Sequence, residues 1–466
     1  MGRQHLTVTV TGRRLLAWGG RPRIPIGAGE HYGALINRAF DHRSYLETLA
    51  AEGLDHVRLF LGTYFELPGQ FHIDGNTLAP EPEDRSLVWC RDGDGRHDLS
   101  RIDPAHLERL STILAAAANH GIVVGLCLFC PCYSDEQWAV HPLRARNNRQ
   151  GAGEDQERAR MLIHPGIRRW QEQMLDAVLP VASAAGGTYI DLCNEPYQSS
   201  ADRVIVGEHL EWQAWLAAQV RRRAPQLPIS CNPGNRAVVL DPAPAWADIA
   251  CVHYAVPEAA WLNRGCGLVV AADETGFQGQ DDAIYRRQAW EFCLAGGALF
   301  SHLDYSFTVG HPDGTATISA RTPGWGGAPL RRQLAVLRRT LARFDVLRLR
   351  SYPEILDISL PQGLRVVALG VPDESALVHL VDWPGIPLRC CLAPGAWTAT
   401  WLDPVAGHTH PPQTIIATRM VTPVTPPPGV AAGTDLVLEL HRHGSPGDSS
   451  GQAQGFPPVS PLAGQR

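Results

Sequence analysis

Residues 188–196, TYIDLCNEP, run from an apolar segment straight into polar residues. Four of the first six side chains are apolar and suit a buried β-strand: Tyr189, Ile190, Leu192 and Cys193. Glu195 follows almost at once, next to Asn194. An ionisable group at the end of a buried strand is costly unless a partner or a chemical task keeps it there. The stretch therefore predicts a strand that ends at a functional carboxylate.

Eight runs in the chain share this design of short, nearly continuous apolarity followed by polar residues. They are 24–33, 55–64, 121–131, 188–196, 227–235, 248–256, 267–277 and 297–307. Continuous apolarity is typical of strands that are covered on both faces of a parallel sheet. Helical patterns fill most of the gaps, and only the gap between the fifth and sixth runs has no clear helix.

The alternation of strands and helices predicts an α/β fold, a (β/α)8 TIM barrel over residues 21–345. The helix at 103–121 shows the usual signals, with Asp103 as N-cap and a glycine as stop. A doubly wound sheet is the alternative. Eight units and the absence of a glycine-rich phosphate turn favour the barrel.

Three further segments flank the predicted barrel. Residues 1–20 alternate like a β-hairpin that caps its N-terminal end. Residues 346–443 contain strand-like runs separated by Pro and Gly turns, which predicts a small C-terminal antiparallel β-sandwich. Residues 444–466 are rich in Pro, Gly, Ser and Gln, which predicts a disordered tail.

The composition excludes several classes of protein. The net charge is −6 with no basic stripe, so nucleic acid is a poor partner. No stretch reaches the apolar length of a membrane helix, and the N-terminus has no signal-peptide pattern. We therefore expect a cytoplasmic protein, although a start upstream of Met1 would reopen secretion. The 11 cysteines are read as small buried residues in a reducing compartment. The oligomeric state is left open.

Catalytic groups of a parallel barrel lie at the carboxyl ends of its strands. This sequence places twelve polar or aromatic candidates near those ends: Glu30, His31, Arg58, Asn194, Glu195, His253, Tyr254, Asp273, Glu274, His302, Asp304 and Tyr305. Glu195 and Glu274 follow the fourth and seventh strands, so both carboxylates should face one mouth.

Two such carboxylates suit the cleavage of a glycosidic bond. One protonates the leaving oxygen while the other attacks the oxocarbenium-like carbon, and a separation of about 5–5.5 Å supports a covalent intermediate with retention of configuration. Their surroundings must differ, because the two groups need different protonation states. Asn194 could bond the sugar 2-hydroxyl.

"NEP" (194–196) and "DETGF" (273–277), at the ends of the fourth and seventh strands, resemble motifs of the retaining glycoside hydrolases of the barrel clan, with glycoside hydrolase family 5 and its cellulase-like relatives nearest. The resemblance covers roughly residues 20–345. It implies a hydrolase that acts on a β-linked carbohydrate without a cofactor or metal, with Glu195 as acid/base and Glu274 as nucleophile.

The resemblance also implies roles for neighbouring residues. Arg58 resembles the arginine on strand two that braces the site, and His253 resembles the histidine of strand six. Asp191 stands where family 5 often has a glutamate and should point inward, toward Arg58.

The sequence departs from the family 5 pattern at three strands, which leaves the sugar open. Ala255 stands where a tyrosine is expected, with Tyr254 one position early. The third strand, "GLCLFCPCY" (125–133), has no evident histidine, and the eighth ends in "SHLDYSF" (301–307) without the familiar tryptophan.

Long loops after strands two, three and eight are expected to build the substrate cleft. The second-strand loop is 63–102. The sugar contacts proposed from the other two loops are Trp138, Asn147, Asn148, His311, Asp313 and Trp325. For each of these, a packed or solvated loop residue is an equally good interpretation.

Two alternatives remain at this stage. A carbohydrate-binding barrel without turnover would use the same fold. A metal-dependent barrel hydrolase could draw ligands from His31, His253, His302 and Asp304, but the first strand lacks a His-x-His pair. Arg58 and Asp191 could also form only a structural ion pair.

Overall fold

The computed structural model describes residues 5–73, 78–197, 202–357, 359–360, 363–418 and 421–444. The segment predicted to be a disordered tail lies outside the described residues, apart from Gly444.

The N-terminal segment forms a three-stranded antiparallel sheet, with one strand more than the predicted hairpin. Its strands are β1 (Leu6–Val8), β2 (Leu16–Trp18) and β3 (Arg21–Arg23). The Leu6 amide donates to the Gly186 carbonyl at 2.7 Å, just before a barrel strand begins. The sheet therefore lies at the amino end of the barrel.

Eight parallel strands close into a barrel in the order β4-β5-β8-β9-β10-β11-β12-β13, so the predicted fold class is confirmed. With the hairpin β6–β7 inserted after β5, the strands are β4 (Ile26–Gly29), β5 (His56–Phe60), β6 (Trp89–Arg91), β7 (His97–Ile102), β8 (Val123–Phe129), β9 (Thr188–Cys193), β10 (Ile229–Asn235), β11 (Ile249–His253), β12 (Val269–Ala272) and β13 (Leu299–Leu303). The barrel strands are buried along almost their whole length, apart from the end of β10. Both faces being covered explains their continuous apolarity.

Helices follow most barrel strands and cover the outside of the barrel. They are α1 (His42–Glu52), α2 (Pro104–Asn119), α3 (Asp135–Val140), α4 (Gln156–Arg160), α5 (Arg168–Ala185), α6 (Arg203–Arg223), α7 (Pro257–Leu262), α8 (Asp282–Leu294) and α9 (Ala328–Leu341). Asp103 caps α2 as predicted and accepts from the Ala105 amide at 2.9 Å. No helix lies between β10 and β11, whose intervening residues are all described, in line with the weak pattern there.

The C-terminal segment folds into two antiparallel sheets around a separate apolar core. A six-stranded sheet has the order β14-β15-β16-β21-β18-β19, and β17 pairs with β20. The strands are β14 (Arg350–Ser351), β15 (Arg365–Val371), β16 (Ser375–Val381), β17 (Leu388–Cys391), β18 (Gly395–Leu402), β19 (Gln413–Ala417), β20 (Val421–Val424) and β21 (Leu436–Arg442).

Buried ion pairs join this β-domain to α8 of the barrel. Arg286 and Arg287 both contact Asp435, each with a shortest N–O distance of 2.7 Å. The ring of Trp290 stacks on that of His379, with centroids 5.6 Å apart. Burial lowers the pKa of His379 to about 3, so this imidazole is neutral at ordinary pH.

The remaining composition-based expectations concern membranes and cysteines. Among the described helices, none has the length and apolarity that crossing a membrane requires. All eleven cysteines are free thiols and eight are buried, as expected for small core residues.

Candidate active site

A cavity of about 260 Å³ opens at the carboxyl end of the barrel. Its polar lining comes from His31, Glu66, Asn194, Glu195 and Glu274. Its aromatic lining comes from Tyr32, Phe60, Tyr64, Phe71, Tyr133, Tyr254 and Phe277. The cavity thus joins carboxylates to flat apolar surfaces, a combination that suits a hydroxylated ring.

Glu195 and Glu274 meet across this cavity. They follow β9 and β12, and each is 7% exposed. One oxygen of each carboxylate and one ring nitrogen of His253 lie within 4.8 Å of one another. This bound applies to the nearest oxygens of the two carboxylates; it is compatible with the separation of about 5–5.5 Å of a nucleophile and an acid/base, and it is shorter than the roughly 6.5–9.5 Å of an inverting pair.

Cationic and hydroxyl donors surround Glu274. Arg58 donates to Oε2 at 2.5 Å, and the Tyr254 hydroxyl donates to Oε1 at 2.7 Å. Burial alone would raise the pKa of Glu274, but the charges of His253 and Arg58 and the bond from Tyr254 lower it to about 2. Glu274 is therefore an anion over the ordinary pH range.

Glu195 has a different set of partners. His253 Nδ1 lies 2.9 Å from Oε1, and the Tyr133 hydroxyl donates to Oε2 at 3.2 Å. The Tyr197 hydroxyl donates to Oε1 at 3.3 Å. Among the described residues, no guanidinium contacts Glu195. Its surroundings are thus less positive than those of Glu274, which is the asymmetry that two chemical roles require.

His253, at the end of β11, bridges the pair. Its Nδ1 is 2.9 Å from Glu195 and 3.5 Å from Glu274 Oε2. Burial disfavours a charged imidazole, but the charge of Glu274 and the bond to Glu195 outweigh it and raise the pKa of His253. A protonated His253 would place one positive charge between two carboxylates.

Arg58 anchors the floor of the site from β5. It donates to Asn194 Oδ1 at 2.7 Å and lies 3.2 Å from both Asp191 and Asp273. The Asn194 amide donates in turn to the Tyr133 hydroxyl at 2.8 Å. The sequence-based pairing of Arg58 with Asp191 is therefore present, and it belongs to a larger network that includes Glu274.

Four non-glycine residues that line the cavity have left-handed backbones. The φ values are 38° at Glu195, 51° at Tyr254, 54° at Phe71 and 56° at Phe277. Each such residue costs about 1–3 kcal/mol, and residues of this kind cluster where a site requires a fixed side-chain direction. At Glu195 the amide donates to Asn232 Oδ1 at 2.9 Å, which helps to hold this conformation.

His31 and Glu66 form a second polar pair in the cavity. His31 Nε2 is 2.9 Å from Glu66 Oε1, which also accepts from the Tyr64 hydroxyl at 3.2 Å. Burial opposes the charge of His31, but Glu66 outweighs it and raises the pKa of the imidazole. The neighbouring Glu30 points elsewhere and accepts from the Gly33 and Ala34 amides.

All three predicted sugar contacts of the third loop lie outside the cavity lining. Trp138 is 1% exposed and packs on His141, with ring centroids 5.2 Å apart. The Asn148 amide donates to three carbonyls of its own loop, at 2.9–3.2 Å. Asn147 likewise donates to two carbonyls. The two asparagines therefore brace the loop, because their side-chain amides satisfy its backbone carbonyls, whereas Trp138 packs in its interior.

The predicted contacts from strand eight also lie outside the cavity lining. His302 Nε2 lies 3.1 Å from the Trp325 carbonyl. Asp304 is 2.6 Å from Arg331 Nη1 and accepts from the Gly327 amide. Tyr305 is buried behind the cavity and packs on His31, with centroids 5.6 Å apart.

The last loop does not add to the described lining either. His311 and Asp313 both bond Thr315. Trp325 donates from its indole to Asp282 at 2.7 Å. These interactions are local or structural, which is the alternative interpretation for loop residues.

The sequence did not predict several of the residues that line the cavity. Tyr133, Glu66 and Phe71 come from loops, where no periodic pattern fixes the direction of a side chain. Tyr133 is the last residue of the stretch quoted for the third strand, so its position near a strand end was the available signal. Glu66 and Phe71 lie in the long second loop, whose length alone was informative.

Glu195, His253 and Glu274 are also the one group among the described residues that could supply three close metal-ligand atoms. The guanidinium of Arg58 disfavours a cation there, because it already bonds Glu274 at 2.5 Å. The ligand set once considered, His31, His253, His302 and Asp304, is not brought together.

No protein-family model matches the sequence, and no curated protein matches it. A protein from Bacteroides vulgatus ATCC 8482, provisionally assigned as a glycoside hydrolase, superimposes with a TM-score of 0.65 at 14% identity, over 94% of this chain and 82% of its own. A glycoside hydrolase family 5 structure from the same organism gives 0.60 at 15% identity, over 95% of each chain. Another glycoside hydrolase gives 0.59 at 15% identity, over 95% of this chain and 97% of its own. The predicted resemblance thus extends to the fold of nearly the whole chain.

Proposed function

We propose that this protein is a retaining glycoside hydrolase that cleaves a β-linked glycoside or oligosaccharide by double displacement. The observation that carries the proposal is the approach of the Glu195 and Glu274 carboxylates to within 4.8 Å in surroundings of different charge. The fold shared with known glycoside hydrolases is consistent with it.

In the first step, a Glu274 oxygen attacks the anomeric carbon, and Glu195 gives its proton to the leaving oxygen as the glycosidic bond breaks. The low pKa of Glu274, about 2, keeps the nucleophile ionised. Arg58 and Tyr254 hold its two oxygens and fix the direction of attack. The product is a neutral glycosyl ester of Glu274, and the negative charge of the pair has moved to Glu195, so the net charge of the cavity is unchanged.

In the second step, water attacks the same carbon and restores both carboxyl groups. Glu195, now an anion, takes a proton from the water, and Glu274 leaves as carboxylate. Loss of the Glu274 charge in the intermediate removes one anion from beside His253 and Glu195. The change helps Glu195 to act as acid in one step and base in the next.

The proposal is tested with a panel of aryl β-glycosides that differ in the sugar. Wild-type protein should hydrolyse at least one of them, and Glu274→Gln should lose at least about 10³-fold in kcat/KM. The exposed Glu354→Gln variant is the control. Turnover that survives Glu274→Gln would overturn the proposal.

The same panel separates the two alternatives. A carbohydrate-binding barrel binds its sugar with equal affinity in wild type and Glu274→Gln, without turnover in either. A metal-dependent hydrolase loses activity on treatment with a chelator. The carboxylate pair needs no cofactor, so we expect chelation to leave the rate unchanged.

A further inference from the structure

The feature that the double displacement leaves unused is the His31–Glu66 pair. Glu66 is 4% exposed and lines the cavity from the loop after β5. Its Oε1 is engaged by His31 and Tyr64. Its buried Oε2 has no hydrogen-bond partner within the described part of the chain.

An unpaired oxygen of a buried carboxylate is costly, since the group has lost its water without gaining a donor. Packing does not require a charge here, because the neighbours Tyr32, Phe60 and Tyr64 are aromatic. His31 Nδ1, in the same pair, is likewise buried and has no hydrogen-bond partner among the described residues. A ligand that brings hydroxyl groups into the cavity would satisfy Glu66 Oε2.

The size of the cavity limits what such a ligand can be. Its 260 Å³ lies below the roughly 300–1,000 Å³ of clefts that hold drug-sized ligands, so it suits a single sugar ring. The wall behind the pair is closed, because Tyr32, Phe60 and Tyr64 are each at most 5% exposed. Phe71, at 39% exposure, marks the open rim.

We propose that Glu66 and His31 bind the hydroxyls at the non-reducing end of one terminal sugar, so that the enzyme is exo-acting. This proposal rests on the proposed hydrolase function and adds the polarity of the substrate. Glu66 accepts from a hydroxyl through its unpaired oxygen, and His31 holds Glu66 in position. A substituent on that hydroxyl meets the aromatic wall, so a sugar chain cannot extend past it.

The first test removes single hydroxyls from the substrate. For the best aryl glycoside, we compare analogues that lack one ring or exocyclic hydroxyl. Wild-type protein should lose about 10²-fold in kcat/KM with one analogue, because a site built to bond a hydroxyl rejects its absence strongly. Glu66→Gln should lower kcat/KM for the parent substrate but distinguish parent and analogue less than about 3-fold.

Glu81→Gln, an exposed glutamate of the same loop, is the matched control and should behave as wild type. A structural role for Glu66 would lower the rates of all analogues equally, and that result would overturn the assignment. His31→Asn should weaken the same hydroxyl preference, since it removes the group that orients Glu66.

The second test uses the products. On an unblocked oligosaccharide, an exo enzyme releases single sugars from the non-reducing end, and it leaves intact an oligosaccharide whose terminal hydroxyls are capped. Cleavage of capped chains that is lost in Glu274→Gln would overturn this inference and keep the hydrolase function. Absence of any Glu274-dependent cleavage would overturn the hydrolase function itself.

Discussion

Glu274 and Glu195 carry the same functional group, and their neighbours give them different chemistry. Glu274 bonds a guanidinium, whereas Glu195 bonds an imidazole and a phenol. His253 contacts both, so a change of charge on one carboxylate is felt by the other. At the scale of single residues, the different roles of the two carboxylates therefore depend on the contact of the Arg58 guanidinium with Glu274.

The role of Glu195 as acid predicts a dependence on the leaving group. Glu195→Gln should lower kcat/KM by about 10²–10⁴-fold for glycosides with basic leaving groups, which need protonation. The loss should be small for a dinitrophenyl glycoside, which departs as an anion. Steady-state rates across a series of aryl leaving groups provide the measurement. Equal losses along the series would contradict the assignment.

The low pKa of Glu274 predicts a pH dependence of stability. The pKa of about 2 lies below the ordinary 4.5, so the folded state holds fewer protons than the unfolded state. The stabilisation is fully present above the ordinary pKa and is lost as the pH falls from about 4.5 to about 2. Between pH 5 and pH 3, the free energy of unfolding of wild type should fall by about 2 kcal/mol more than that of Glu274→Gln.

Urea unfolding at the two pH values measures this difference, with Glu354→Gln as an exposed control that keeps the wild-type response. A parallel loss in wild type and Glu274→Gln would show that other groups account for the acid sensitivity.

Position at a strand end predicted Glu195, Glu274, Arg58 and His253 correctly as neighbours, because parallel strands deliver their carboxyl ends to one face. The same rule predicted Asp304 as a site residue, but in the structure Asp304 forms an ion pair with Arg331 outside the cavity lining. Position along a strand does not reveal a partner from a distant helix, so sequence could not make this distinction.

At the scale of elements, Arg331 on α9 closes the barrel behind the site. It is fully buried and forms ion pairs with Glu52 and Asp304. Its guanidinium carbon also lies 4.7 Å from the centroid of the Phe307 ring. The residue thus links α1, α9 and the segment after β13. Removing one partner of a buried ion pair costs about 3–5 kcal/mol, because it leaves an uncompensated charge.

We therefore expect Arg331→Met to lower the free energy of unfolding by about 3–5 kcal/mol. Arg332→Met, on the exposed side of the same helix, should change it by less than about 0.5 kcal/mol. Urea unfolding compares the two variants. Equal stabilities would mean that the link between the elements carries no net energy.

Elements were predicted well where the pattern was long. All eight barrel strands were expected, whereas α3, α4 and α7 were not, since five or six residues give too few turns to show a period. Within residues 346–443, where the sequence predicts strands separated by Pro and Gly turns, Pro353–Ile355 form a 3-10 helix. Proline at its start favours that helix over a strand.

At the scale of the whole molecule, the β-domain and the barrel share buried charges. Asp435 lies between Arg286 and Arg287, and its pKa is lowered: burial opposes the charge, and the two arginines outweigh it. The sequence predicted two separate folding units, but their docking could not be predicted because it depends on single residues about 150 positions apart.

The docking predicts different effects for two aspartates that contact Arg287. Asp435→Asn should lower the free energy of unfolding by about 3 kcal/mol, because it leaves Arg286 buried without an anion. Asp382→Asn removes an exposed contact of 3.7 Å and should cost less than about 1 kcal/mol. Thermal and urea unfolding of both variants measure the difference. Similar losses of stability would contradict the account in which the buried ion pairs of Asp435 hold the β-domain to the barrel.

The central claim is that Glu274 becomes bonded to the sugar during turnover. A 2-deoxy-2-fluoro sugar matched to the best aryl glycoside, with a reactive leaving group, slows the second step and lets the ester accumulate. Intact mass and peptide mapping should show one added sugar per chain, on the peptide that contains Glu274. A label on another residue, or inactivation-free turnover with no label, would contradict the account.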